Sequence, residues 1–274
     1  MAEPVRAAMA AAARVLAPVS DTARLDAELL MAHALGCTRD ELLLRRLDDA
    51  APDNFVGLVE RRQAGEPLAY ITGTRDFWTI TLGVGPGVLI PRADSETLIE
   101  AAVDYFAGSP GPRRILDLGT GPGTLLLAAL AEWPKAMGLG IDASAVALEH
   151  ARANADTLGM AGRTSFRRGD WAADVNERFD LILANPPYVA LDEAVGPGVR
   201  EHEPAEALFA GADGLDDYRR IIPALPGLIA PGGVAIVEIG WRQGESVSAL
   251  VEAACLSSRI VHDLGQRPRA IVVT

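Results

Sequence analysis

The chain has 274 residues, 49% hydrophobic and 23% charged, which suffices for one large domain beside a small one. Its formal net charge of −12 leaves no electrostatic footprint for gripping a nucleic-acid backbone without sequence preference. Cys37 and Cys255 lie far apart and His33, His150, His202 and His262 are scattered, so a disulfide framework is excluded and no metal site is expected. The sequence carries no uncharged apolar stretch of membrane-spanning length and no apolar leader core, which makes a cytoplasmic protein without membrane contact the expectation.

The first 66 residues repeat apolar side chains at helical spacing: Val5, Met9, Ala13 and Leu16, then Leu25, Leu29, Leu30 and Ala34. Ser20-Asp21 is the expected cap of the second run and Gly36 its stop. A small helical domain over 1–72 follows. Between Arg75 and Ile90, alternating β-formers surround Gly83, Gly85, Pro86 and Gly87, which predicts a hairpin linker over 73–92. From 93 to 274 the chain alternates helices with short apolar strands at 114–118, 138–142, 164–168, 179–184, 234–239, 260–264 and 270–274. That rhythm predicts an α/β fold with a mostly parallel, doubly wound sheet, whose ligands sit at the carboxyl ends of its strands.

Four of those strand ends carry chemistry. Asp117-Leu118 runs into Gly119-Thr120-Gly121-Pro122-Gly123, a G-x-G-x-G loop before a helix. Glycines let a backbone turn tightly and approach a ligand, and a helix N-terminus favours negative charge. Pro122 has no amide hydrogen, so the remaining loop amides are expected to make the contact. Asp142 closes the next strand, where a carboxylate can accept from ribose hydroxyls or cap the helix starting near Ser144. Loop and acid together point to an adenosine-bearing ligand. Gly169-Asp170-Trp171 follows the third strand, with an indole to pack on adenine or in the core and an acid for the exocyclic amine.

Asn185-Pro186-Pro187-Tyr188 ends the strand 179–184. Proline fixes φ and restricts the residue before it, so this turn is pre-shaped. It reads as a clamp for a planar NH2 group, with an amide, backbone carbonyls and an aromatic wall, or as a strand-ending turn with a packed tyrosine. No nucleophile motif or Cys/His partnership accompanies it.

In this order the glycine loop, Asp142, Asp170-Trp171 and Asn185 to Tyr188 resemble Rossmann-like class I S-adenosylmethionine-dependent methyltransferases. The chain more closely resembles the bacterial peptide chain release factor N5-glutamine methyltransferases, through residues 66–73, Phe77-Trp78, Leu89-Ile90-Pro91-Arg92, Glu203-Pro204, 213–219 and Glu238-Ile239-Gly240. The resemblance implies methylation of the glutamine amide in the Gly-Gly-Gln motif of class 1 release factors, with S-adenosylhomocysteine as the spent cofactor. It places Gly119, Thr120, Gly121, Pro122, Gly123, Asp142, Asp170, Trp171 and Asn185 on the cofactor. It places Asn185, Pro186, Pro187 and Tyr188 on the glutamine, with Asn185, Pro186 and Tyr188 in the catalytic role. Ala93 departs from the family's second proline after Pro91-Arg92. A ribosomal-protein glutamine methyltransferase, a nucleic-acid amino methyltransferase and a non-catalytic S-adenosylmethionine binder are the competing readings.

Overall fold

A computed structural model describes residues 3–196 and 198–274. The chain divides into two units: the part up to Thr74 together with Gly196–His202, and Arg75–Val195 together with Glu203–Thr274.

The first unit holds helices α1 (Val5–Leu16), α2 (Ala23–Leu35), α3 (Arg39–Arg45), α4 (Phe55–Gln63) and α5 (Leu68–Thr72). Their apolar faces meet in one core around Val5, Leu16, Leu30, Met31, Leu42 and Phe55. Gly36 ends α2 in the left-handed conformation at φ 63°, as its position predicts. The start of α2 differs from the expected cap: Ser20 donates to Asp26 Oδ2 at 2.8 Å and the helix begins three residues later. Asp26 is buried and also receives Arg62 Nε at 2.8 Å, so Ser20 serves this buried acid rather than the helix amides. Gly196–His202 belongs with this unit because Gly198 closes on the Gly65 carbonyl, a return that a division into consecutive stretches leaves out.

In the second unit, β1 (Thr74–Phe77) and β2 (Ile80–Gly83) form a two-stranded sheet. The hairpin turns at Trp78-Thr79, not at the Gly/Pro stretch, which follows β2. Trp78 takes a positive φ of 54°, with its amide donating to Glu96 Oε1 at 2.8 Å and its indole to Glu132 Oε1 at 2.6 Å. Two helix carboxylates thus hold the turn that glycine was expected to make.

The main sheet follows α6 (Glu96–Tyr105) and comprises β3 (Arg114–Leu118), β4 (Met137–Asp142), β5 (Thr164–Arg168), β6 (Phe179–Ala184), β7 (Ile229–Glu238), β8 (Ser258–His262) and β9 (Pro268–Val273). Interspersed are α7 (Thr124–Glu132), α8 (Ala145–Thr157), α9 (Val199–His202, in the first unit), α10 (Asp216–Ile221), α11 (Leu225–Leu228) and α12 (Gly244–Ala253). The sheet order is β5-β4-β3-β6-β7-β9-β8, parallel through β7 and antiparallel at β9 and β8. Successive strand residues alternate between two cores. Ile115, Leu181 and Ile236 pack with α6 and α7, while Leu116, Ile182 and Val237 pack with Tyr218, Ile221 and Val251. Burial on both faces is why these strands read as continuous apolar runs. The strand order reverses at β3, with β4 on one side and β6 on the other, so the crevice of a doubly wound sheet opens there.

Leu116 is fully buried in the central strand. Leu116→Ala is expected to lose about 2–5 kcal/mol of stability in urea unfolding, and a loss well below ~1 kcal/mol would show that the two cores do not share this strand as described.

Candidate active site

The sheet register sets the site. Leu118 pairs with Ile141 on one side and with Ala184 on the other, so the next residues, Gly119, Asp142 and Asn185, leave the sheet abreast. A cavity of about 580 Å³ opens on this edge, lined among others by Gly119, Thr120, Gly121, Pro122, Asp142, Asp170, Trp171, Asn185 and Pro187. Nine of the residues expected from the sequence are therefore brought together. Gly123, Pro186 and Tyr188 are not among the residues that line it.

Gly119, Gly121 and Gly123 all have positive φ, at 72°, 55° and 88°, which is the physical content of the alternating glycines. A Cβ on Gly119 would stand 2.9 Å from the Trp171 ring, so only glycine lets the indole close over the loop. The loop amides behave differently from expectation. Those of Gly119 and Thr120 donate to the Ile141 carbonyl, that of Gly121 to Asp142 Oδ2 and that of Gly123 to the Thr120 carbonyl. Pro122 removes the fifth. A ligand here meets the surfaces and carbonyls of the glycines, with the loop donors already engaged in shaping the turn.

Asp142 accepts Gly121 N and Ser144 N, each at 2.8 Å. Burial raises its pKa, and the backbone amides of Ser144, Gly121 and Ala143 oppose that rise. Ser144 itself caps α8 by accepting Ala147 N, which leaves Asp142 facing the cavity. Trp171 has φ 49° and donates its indole N–H to Asp217 Oδ1 at 3.0 Å. A left-handed bulky residue is strained by about 1–3 kcal/mol and persists only where its surroundings fix it. Asp170, expected beside an adenine amine, stands on the cavity wall with its Oδ2 ion-paired to Arg220.

Asn185 donates Nδ2–H to Ser95 Oγ at 3.2 Å, which leaves its side-chain oxygen for other partners. Tyr188 departs from the expected aromatic wall. Its hydroxyl donates to Glu238 Oε1 at 3.2 Å, its ring packs into the core of Leu116 and Ile182, and burial raises its pKa well above the ordinary value. The tyrosine's carbonyl accepts Gln243 Nε2 at 2.9 Å. This pins the chain just beyond the prolines.

Asp117, Ser95, Glu238, Asp217 and Arg92 escaped the sequence reading as site residues. Asp117 is buried, accepting the Thr120 hydroxyl at 2.6 Å and Leu126 N at 3.2 Å through Oδ2, with Oδ1 unpartnered among the described residues. It ties strand, loop and helix together, and the acid directly before a G-x-G-x-G loop was the available signal. Arg92 is anchored by the buried Glu203 at 2.5 Å. Acids outnumber the two arginines on the cavity wall, a field that favours a cationic ligand. Among the described residues no cluster suited to a metal ion is present and no helix is long and apolar enough to cross a membrane.

This fold and this rim are those of a class I methyltransferase. Residues 7–73 match the model of the PrmC N-terminal domain and residues 96–201 that of the Methyltransferase small domain. The chain is 43% identical over 255 residues to a release factor glutamine methyltransferase of Xylella fastidiosa (strain 9a5c), covering 91% of this chain and 92% of the relative. A second, from Bradyrhizobium diazoefficiens, is 41% identical over 269 residues, covering 95% and 91%. A 16S rRNA methyltransferase from T. thermophilus, solved in complex with AdoMet and guanosine, shares the fold at TM-score 0.51 and 18% identity, over 73% of this chain and 49% of that one. The chain belongs to the release factor glutamine methyltransferase family.

Burial pushes the Asp117 carboxyl up to about 7, against the pull of Thr120 and the Leu126 amide and with a small push from Asp142. The folded protein then binds this proton more tightly than the unfolded chain, so stability falls as pH rises from about 4 to about 7. Asp117→Asn is expected to make that decline shallower in urea unfolding across the same window; an unchanged slope would mean that Asp117 ionises in the fold as freely as in the unfolded chain.

Proposed function

We propose that the protein transfers a methyl group from S-adenosylmethionine to the side-chain amide nitrogen of the glutamine in the Gly-Gly-Gln motif of class 1 peptide chain release factors. Family membership supports the reaction, and one observation carries the site: Gly119, Asp142 and Asn185 leave three adjacent strands abreast, around one acidic cavity. The residues present suit the cofactor. Gly119 lets the Trp171 indole pack directly on the loop at the cavity wall, where a Cβ would stand 2.9 Å from the ring, and the excess of carboxylates matches a cationic sulfonium. Asp142 is assigned to the ribose hydroxyls, Trp171 to the adenine face, and Gly119 to Gly123 to close backbone packing. When bound, S-adenosylmethionine supplies an electrophilic methyl group on that sulfonium.

An amide nitrogen is a poor nucleophile, so the protein's task is placement. Holding reacting atoms about 3–3.5 Å apart in line contributes several orders of magnitude. The Asn185 side-chain oxygen and the Pro186 carbonyl accept the two amide hydrogens and aim the nitrogen. The same acceptors stabilise positive charge developing there, the cationic counterpart of an oxyanion hole. The methylated amide then releases its extra proton to water. Pro187 flanks this position, and Tyr188 supports the turn from behind through its bond to Glu238.

The residues over 1–72 are assigned to docking the protein substrate, in a cytoplasmic enzyme of translation termination. A chain beginning near Arg75 should retain cofactor binding but show a raised KM for intact release factor. Normal KM would remove the docking role.

Labelled S-adenosylmethionine, offered with release factor, ribosomal protein and DNA together, should mark the Gly-Gly-Gln glutamine, located by mass spectrometry. Label confined to nucleic acid or to ribosomal protein would overturn the assignment. Asn185→Ala should lower turnover by about 10²-fold or more while changing cofactor affinity far less, read by single-turnover kinetics and calorimetry; equal losses in both would contradict its role.

A further inference from the structure

β9 runs antiparallel to β7, so it enters the sheet at the edge where the parallel strands end. Arg269, near its start, stands at that edge, with its carbonyl accepting Ile239 N at 2.8 Å. The Arg269 side chain is buried and reaches two acids. Nε and Nη2 donate to Asp263 Oδ2 at 3.2 and 3.1 Å, and Nη2 also meets Asp94 Oδ2 at 2.9 Å. Asp263 is buried and holds the turn between β8 and β9 by accepting Arg267 N at 3.0 Å through Oδ1. The Asp94 side chain, by contrast, is 59% exposed. Asp263 alone neutralises the buried guanidinium, and an ion pair to an exposed acid adds little to stability. What the second contact fixes is a position.

Asp94 is the middle residue of the tight 3-10 turn Ala93–Ser95 that leads into α6. Directly after it, the buried Ser95 takes Asn185 Nδ2–H on its hydroxyl oxygen at 3.2 Å. Before the turn, Arg92 is fixed by Glu203, which also accepts Ile90 N at 3.1 Å. We propose that Arg269 and Asp94 are positioning residues: their ion pair ties the Ala93–Ser95 turn to the β8–β9 hairpin and so sets where the Ser95 hydroxyl meets the Asn185 amide. The proposal rests on the reading of Asn185 as the acceptor of the substrate amide.

The last torsion of an asparagine is soft and roughly two-fold, so its nitrogen and oxygen can exchange places at small cost. Ser95, by holding Nδ2, leaves the Asn185 oxygen for the substrate NH2. That contact is already at the long end of the hydrogen-bond range, and a small outward shift of the turn would break it. Asp263 anchors the guanidinium to the hairpin, and the planar fork of donors reaches Asp94 with little freedom of its own. The turn therefore stays against Asn185 without help from a ligand. A misplacement of about 1 Å at a reacting group can cost about 10²-fold in rate, so a contact of small stabilising value can carry a large effect on turnover.

Asp94→Ala is the variant that tests this, because Arg269 keeps Asp263 and the buried charge stays paired. Its melting temperature should stay within about 4 °C of wild type. Its kcat on release factor should fall by about tenfold or more, with cofactor Kd within about twofold. Exchange of the Asn185 side-chain NH2 with water, followed by NMR and independent of any substrate, should quicken by about threefold or more. Asp94→Glu can reach the same guanidinium and should restore kcat to within about threefold of wild type. Because the effect runs through Ser95, the double variant of Asp94→Ala and Ser95→Ala should turn over within about twofold of Ser95→Ala alone. Additive losses, a kcat of Asp94→Ala within about twofold of wild type, an Asp94→Glu no better than Asp94→Ala, unchanged NH2 exchange, or parallel losses of kcat, cofactor affinity and melting temperature would each overturn the proposal. Asn185→Ala run alongside separates the causes: if it keeps full turnover, the acceptor reading and the proposal fall together. If it loses turnover while Asp94→Ala and Ser95→Ala keep theirs, the positioning role alone falls.

Discussion

Parallel pairing of β3 with both β4 and β6 is the constraint on which the rest of the molecule depends. Because Leu118 stands level with Ile141 and with Ala184, the three loops that follow begin at the same height. A slip of one residue in either pairing would exchange the faces of a whole strand and move Asp142 or Asn185 off the rim. The alternation of Ile115 and Leu116, and of Leu181 and Ile182, between two separate cores makes such a slip expensive. Packing on both faces of the sheet therefore fixes the spacing of polar groups at its edge.

The polar contacts at that edge are directed inward. Asp117 uses one oxygen to hold Thr120 and the start of α7, Asp142 holds Gly121, and Ile141 receives two further loop amides. The loop is thus rigid before any ligand arrives, which lowers the ordering cost of binding. The turn at Asn185 is prepared in the same way, by two prolines in front and by Ser95, Glu238 and Gln243 behind. A clamp of this kind recognises a planar NH2 and not what carries it. Family membership and the acidic balance of the chain are what favour a protein amide over a nucleobase.

Much of this was legible in the sequence, because strands buried on both faces announce themselves as apolar runs and a loop needing positive φ announces itself as glycine. Gly119, Asp142 and Asn185 follow such runs directly, so their place on the rim could be read. Tyr188 and Asp170 also follow strands, yet their side chains go to Glu238 and Arg220, 50 residues away in each case. Sequence position sets where a side chain starts and not which distant partner claims it. The buried acids were missed for a related reason: Asp117 and Glu238 are set apart from surface carboxylates by desolvation alone, which no local pattern records. The hairpin turn was misplaced because Glu96 and Glu132, from two later helices, hold Trp78 in a conformation that the neighbouring glycines would adopt more easily.

The central claim is that the Asn185 oxygen and the Pro186 carbonyl are the acceptors that aim a glutamine amide at the methyl donor. A crystal structure of the protein with S-adenosylhomocysteine and a Gly-Gly-Gln peptide tests it most directly. The account predicts both oxygens about 2.7–3.2 Å from the glutamine amide nitrogen, with Asn185 Nδ2 still on Ser95. A glutamine side chain bound elsewhere on the rim, or an Asn185 amide presenting its nitrogen to the peptide, would contradict it.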